Sequence, residues 1–197
     1  SMNNMQHSTP IGNIEKIEGV PVYHSWISFL MPTNKGSNNT WSLSFNYQIR
    51  DSVGTIGNKP LYVKALSSGL SNLKSFKYNG DTYFLSLVNP NNFVTGVNTI
   101  KAYISKKCSF ITTPYALASE QFIVAITPTM PDMGNHTSPN NEALTLNTDS
   151  TYTGKINLTM TGVWNIHLVV KTPDGTVIAG GDNDDSGYSN LYWTVNI

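Results

Sequence analysis

Apolar and polar positions alternate along most of the chain. In "WSLSFNYQI", residues 41–49, apolar side chains fall at Trp41, Leu43, Phe45, Tyr47 and Ile49, with Ser42, Ser44, Asn46 and Gln48 between them. A period of two is the mark of a strand with one buried face and one wet face. A second long run, "GKINLTMTGVWNIHLVVKT", sets Ile156, Leu158, Met160, Trp164, Ile166 and Leu168 on one parity, and Gly162 marks a bulge or bend between two strands. Shorter runs of the same kind are "PLYVKAL", "DTYFLSLV", "NTIKAYI", "EQFIVAI" and "LYWTVNI". No segment sustains a helical period with a cap at each end. Turn clusters such as "NPNN", "TPDG" and "YNGD" separate the runs at sandwich-like intervals. The pattern predicts an all-β protein, an immunoglobulin-like antiparallel β-sandwich.

With 197 residues the chain can form one large sandwich or two small domains, each able to bury a core. A faint repeat favours two. Trp41 leads after ten positions to Asp51 and "SVGT", and Trp164 leads after ten positions to Asp174 and "GTVI". This predicts tandem sandwich domains at 19–88 and 89–197, joined near "NPNNFVTG", with Trp41 and Trp164 at equivalent core positions. Trp-led strands also recur in sandwiches that have no repeat. Residues 1–18 are polar, lack a signal-peptide core and open on Ser-Met, and are expected to be a disordered tail or a cloning remnant.

Charged residues are only 12% of the chain and the formal net charge is zero. Asn, Ser and Thr supply roughly a third of it, so the surface is neutral and hydrogen-bonding. The only adjacent basic pair is Lys106-Lys107, which falls far short of the stripe that a phosphate backbone requires. Neither nucleic acid nor an anionic membrane surface is an expected partner. No apolar run approaches the ~20 residues of a membrane-spanning helix. The composition suits an extracytoplasmic protein whose export signal or lipid-attachment cysteine would lie upstream.

The single cysteine, Cys108 in "KKCSF", excludes an intrachain disulfide and every multi-cysteine metal motif, and nothing beside it in sequence would activate the thiol. There is no nucleophile elbow, zincin helix or phosphate loop, and four scattered glutamates offer no carboxylate pair. The chain reads as non-catalytic. In "DNDDSG", Asp182, Asp184 and Ser186 alternate before Gly187 as in the first half of a calcium loop, but Trp193 stands where a bidentate glutamate should be. A solvated hairpin is expected there in place of calcium.

The unusual loop is "ITPTMPDMGNHTSPNN", residues 126–141, which gathers two of six methionines, one of four histidines and three prolines. Pro131 favours a β-turn that brings the Cα atoms of Met130 and Met133 within ~7 Å. Gly134 lets the chain fold back, so His136 can reach the same point. Two thioethers and an imidazole suit a soft ion such as Cu(I) better than Mg²⁺ or Ca²⁺. The competing reading is that the methionines only plug the open end of the sandwich, because methionine fills irregular gaps well.

"PTMPDMGNH" followed by "YTGKINLTMTGVWNIHLVV" resembles the YtkA-like family of extracytoplasmic bacterial domains, related to FixH-type proteins. The resemblance covers about residues 84–170. Family members carry a Met-Pro-x-Met-Gly-His block, then Tyr-x-Gly, then Met-x-Gly-x-Trp. Here these correspond to Met130, Pro131, Met133, Gly134 and His136, then Tyr152 and Gly154, then Met160, Gly162 and Trp164. "VTGVNTIKAYI" resembles the family's entry strand. Asn135 is a departure, since it separates Gly134 from the histidine. The resemblance implies an immunoglobulin-like sandwich in the periplasm or cell envelope, copper handling, and a membrane or envelope partner. The expected ligands are Met130, Met133 and His136, with Met160 as a fourth or as a core residue. The alternative is a structural or protein-interaction module of the envelope.

Three histidines remain. His167 shares parity with Asn165 and Lys171 and is expected to face solvent; His24 precedes the first strong strand and reads as a ligand or a turn residue; and His7 lies in the tail. "HSWISFLMPT" places Met31-Pro32 ten residues before Trp41, without a second methionine to make a site.

Overall fold

The computed structural model describes residues 8–33, 40–65, 72–90, 92–108, 114–182 and 187–197. Its strands are β1 (Glu15–Lys16), β2 (Tyr23–His24), β3 (Trp41–Ile49), β4 (Ser52–Leu61), β5 (Leu73–Tyr78), β6 (Asp81–Asn89), β7 (Gly96–Lys107) and β8 (Tyr115–Leu117). They continue as β9 (Ile123–Met130), β10 (His136–Thr137), β11 (Glu142–Leu146), β12 (Tyr152–Leu158), β13 (Val163–Lys171), β14 (Val177–Ala179) and β15 (Tyr192–Asn196). One 3₁₀ turn, Pro131–Met133, interrupts them. No α-helix occurs among the described residues, and no helix there is long and apolar enough to cross a membrane. The protein is all-β, an immunoglobulin-like antiparallel sandwich as its alternation predicts.

The chain divides into two compact units, Ser1–Ser28 with Ser68–Ile197, and Phe29–Ser67. The larger unit holds an antiparallel sheet in the order β14-β13-β9-β11-β12-β7-β6-β5, with β15 also on β13, β10 on β9 and β8 on β7. Its two ends come together, since β5 packs near β14 and β15, which gives the sandwich a barrel-like closure. The expected division at residues 88–89 is corrected here. β6 pairs with β7 from Tyr83↔Lys106 to Asn89↔Lys101, so the "NPNNFVTG" turn joins neighbouring strands of one sheet.

Alternation explains the core. Val124, Ile126 and Met130 of β9, Ile156 and Leu158 of β12, and Trp164, Ile166, Leu168 and Val170 of β13 keep one parity and are all buried. At the β5–β6 side the Phe76 and Tyr83 rings stack at 5.3 Å, and Phe122 meets both edge-on at 5.5 and 5.4 Å. The Tyr-x-Gly pair also has physical causes. The Tyr152 hydroxyl accepts from the Phe122 N–H and donates to the Glu120 carbonyl, each at 3.3 Å, and burial pushes its pKa up to about 12. A Cβ at Gly154 would sit 2.6 Å from the Glu142 carbonyl, where β11 shifts register against β12.

The N-terminal segment is not a free tail over its described part. Residues 8–18 include β1, which pairs with β2, and Ile11 bridges Ile27. A charged cluster fixes it to β7. Glu15 meets His24 at 2.9 Å, Lys101 at 3.7 Å and the Tyr103 hydroxyl at 3.2 Å. Residues 1–7, with His7, lie outside the described residues.

In the smaller unit β3 and β4 form a two-stranded hairpin. β3 is the segment that the alternation marks, residue for residue. Trp41 is half-buried against Phe29 at 5.4 Å, and its indole N–H donates to the Met31 carbonyl at 3.0 Å. Its expected equivalence with Trp164 fails in burial. Trp164 is fully enclosed by strands on both sides, whereas Trp41 sits on a sheet of two strands with the 29–33 segment at one end.

Candidate functional site: the Met-Pro end of the sheet

The loop begins where β9 ends. Met130 is in extended conformation, and the proline at the following position opens the 3₁₀ turn Pro131–Met133. Gly134 (φ 62) and Asn135 (φ 59) are both left-handed, and the Asn135 N–H returns a 3.0 Å bond to the Met130 carbonyl. Asparagine tolerates this region better than most side chains. The extra residue relative to the resembled pattern therefore helps close the turn and starts β10 with His136 directly opposite Met130.

Direct cross-strand partners share a face of the sheet. Met130 is only 5% exposed, and its methyl reaches the opposite loop, where a Cβ built on Gly162 would lie 3.0 Å from it. His136 is exposed, with its ring 6.4 Å from the Trp164 ring. The Trp164 indole N–H donates to the Met160 carbonyl at 3.0 Å, and the Met160 side chain packs half-buried on the core. Met133, on the 3₁₀ turn, is 57% exposed.

Of the four expected ligands, Met130, His136 and Met160 thus lie around Trp164, and Met133 stands at the surface one turn away. The burial of Met130 matches a plug role for that residue; the exposure of Met133 does not. Trp164 was not legible as part of this end. Its neighbour Asn165 pairs with Thr129, which brings Trp164 opposite Met130, and that register is a long-range property. Among the described residues no cluster of three or more His, Cys, Asp or Glu side chains is placed to hold a metal ion. Any ion bound at this end would depend on thioether sulfur beside one imidazole.

His167 is corrected from solvated to buried. Its Nδ1 lies 2.5 Å from the Ser189 carbonyl, which can only accept, so Nδ1 donates and Nε2 can accept from the Thr129 hydroxyl at 2.9 Å. The 187–191 segment covers that face, with the Tyr188 ring stacked on the imidazole at 5.2 Å. Parity placed His167 away from the core correctly but could not reveal this cover. His24 is a partner of Glu15. Cys108 is half-buried after β7, and residues 183–186 of the calcium-like loop lie outside the described residues.

A second polar group lies across β6 and β7. Lys106 meets Asp81 at 2.8 Å and Glu120 at 2.9 Å, and Glu120 also accepts from the Tyr83 hydroxyl at 2.8 Å. Burial opposes ionisation of Glu120, but the bonds from Lys106 and Tyr83 outweigh it and hold its pKa at about 2. Every member has a partner, so the group reads as a clamp between strands. No family model, curated protein or solved structure matches the chain.

Proposed function

We propose that this is a non-catalytic, extracytoplasmic module that binds Cu(I) or a similar soft ion at its Met-Pro end. It would pass the ion to, or withhold it from, a membrane or envelope partner. The observation that carries the reading is the pairing of His136 with Met130 across β10 and β9, with the exposed Met133 between them in sequence. One thioether is rooted in the core and another is open to solvent, an arrangement through which an ion could enter and leave. Thioethers and imidazole suit Cu(I). The resemblance to YtkA-like domains and the neutral Asn/Ser/Thr-rich surface support the envelope setting.

A second reading is favoured by the burial of Met130, namely a structural or interaction module of the envelope whose Met-Pro loop only closes the sandwich. A Cu(I) competition titration under reducing conditions separates the two, using wild type, Met130→Leu, Met133→Leu and Cys108→Ser. Leucine keeps volume and hydrophobicity while deleting sulfur. Met133→Leu should weaken binding by roughly tenfold or more, about 1.4 kcal/mol, with the unfolding midpoint unchanged, and Cys108→Ser should bind as wild type does. Imidazole coordinates only when neutral, so affinity should also fall on acidification. A wild type that does not retain Cu(I), or leucine variants that bind as tightly, would leave the structural module as the better account.

A further inference from the structure

We infer that the outer edge of β3 is a docking site for a second copy of the same strand, forming a two-fold dimer through a continuous four-stranded sheet β4-β3-β3-β4. The proposal is independent of the metal reading and rests on the smaller unit alone. Among the described residues β3 pairs only with β4, and no described strand pairs with its other edge. Two strands are marginal alone, and three or more with an apolar face are the usual minimum.

The two edges of the hairpin differ. β4 carries the devices that blunt an edge, for the register with β3 skips an extra residue at Gly57–Asn58, Asn58 is left-handed at φ 54, and Lys59 and Pro60 follow. β3 has none of them. It runs nine residues without a charge, proline or glycine.

Its sequence is also complementary to itself. Antiparallel pairing centred on Phe45 sets Trp41 against Ile49 of the second copy, Leu43 against Tyr47 and Phe45 against Phe45 on one face. Ser42 meets Gln48 and Ser44 meets Asn46 on the other. Every apolar residue meets an apolar one, and no charge opposes another. Phe45 (49%) and Ile49 (65%) are well exposed in the single chain, and dimerisation would extend the apolar surface across both copies. A single added strand buries less than the ~800 Å² per partner of a standard interface, so association is expected to be weak and concentration-dependent.

The test is sedimentation velocity on the full chain from low micromolar to high micromolar concentration. Three proteins are compared: wild type, the double variant Ser42→Lys with Gln48→Lys, and the double variant Ser42→Glu with Gln48→Glu. Positions 42 and 48 are far apart within one strand but face each other across the dimer, so each variant repels itself there and nowhere else. Wild type should shift toward dimer as concentration rises, and each variant alone should dimerise roughly tenfold more weakly. An equimolar mixture of the two variants should recover dimer, which also shows that the substitutions do not merely unfold the hairpin. A wild type that stays monomeric throughout overturns the inference, as does a dimer that the lysine variant leaves intact or a mixture that does not recover association. A monomeric wild type that cosediments with neutral phosphatidylcholine vesicles would assign the face to lipid.

Discussion

β3 and β13 begin alike and end differently. Each is a nine-residue strand of alternating residues with a tryptophan at its start, and each runs into a turn that contains an aspartate, Asp51 or Asp174. β13 is paired on one side with β9 and on the other with β15 and β14, so Trp164, Ile166, Leu168 and Val170 are shut away completely. Among the described residues β3 has one partner, and from Phe45 onward its apolar side chains remain largely exposed. Alternation therefore states which face of a strand is apolar; what covers that face is decided by long-range pairing. The candidate metal end gathers beside Trp164 of the covered strand, and the proposed self-association edge belongs to the other.

The largest expected effect comes from truncating the two tryptophans. Trp164→Ala removes a fully buried side chain from a core closed on both sides and should cost ~3–5 kcal/mol in denaturant unfolding. Trp41→Ala removes a half-buried ring held by Phe29 and one hydrogen bond, and should cost about 1–2 kcal/mol or less. Equal losses would break the contrast between the strands, because Trp41 would then be as enclosed as Trp164.

Acid should distinguish the regions by a smaller amount. Among the described residues the larger unit holds four carboxylates below their ordinary values, one of them the exposed Asp174, lowered chiefly by the bond from the Thr172 hydroxyl. Glu120 is at about 2, Glu15 is lowered chiefly by its bond to His24, and Asp149 is lowered chiefly by its bond to the Thr151 hydroxyl. A carboxyl with a depressed folded pKa takes up its proton more readily when unfolded, so its contribution is present above the ordinary carboxylate range and disappears as pH falls through the folded value. Stability of the larger unit should therefore drop between pH 4.5 and about 2, and Glu120→Gln should flatten that slope. β3 carries no carboxylate. A slope unchanged by Glu120→Gln would show that the Lys106 clamp does not couple to folding.

Much of the fold was legible, and for one reason: a strand with one apolar and one polar face alternates with a period of two, whatever comes to lie over the apolar face. That is why β3, β6 and the β12–β13 pair coincide closely with the runs that predict them. β5 was missed because "LKSFKY" interleaves lysines with its apolar residues, and most of β4 because "SVGTIGNKP" is rich in glycine and polar residues. The single-sheet continuity of β6 with β7 was hidden because a turn sequence reads the same within a domain as between two. At the candidate site, the local turn of Met130, Pro131 and Gly134 was legible from residue types. The approach of Trp164 from β13 was not, since it depends on the Asn165↔Thr129 register. His167 shows the same limit, for the Ser189 segment that buries it lies 22 residues away.

The central claim is that the Met-Pro end beside Trp164 binds a soft ion through methionine sulfur. Methyl-labelled methionine NMR during Cu(I) titration tests it most directly, because all six methionines report at once. The account predicts that the Met130 and Met133 methyl signals shift together and saturate at one equivalent, while Met31 in the smaller unit does not move. Methionine signals that stay fixed, or a Met133 shift that only parallels that of Met31, would contradict it.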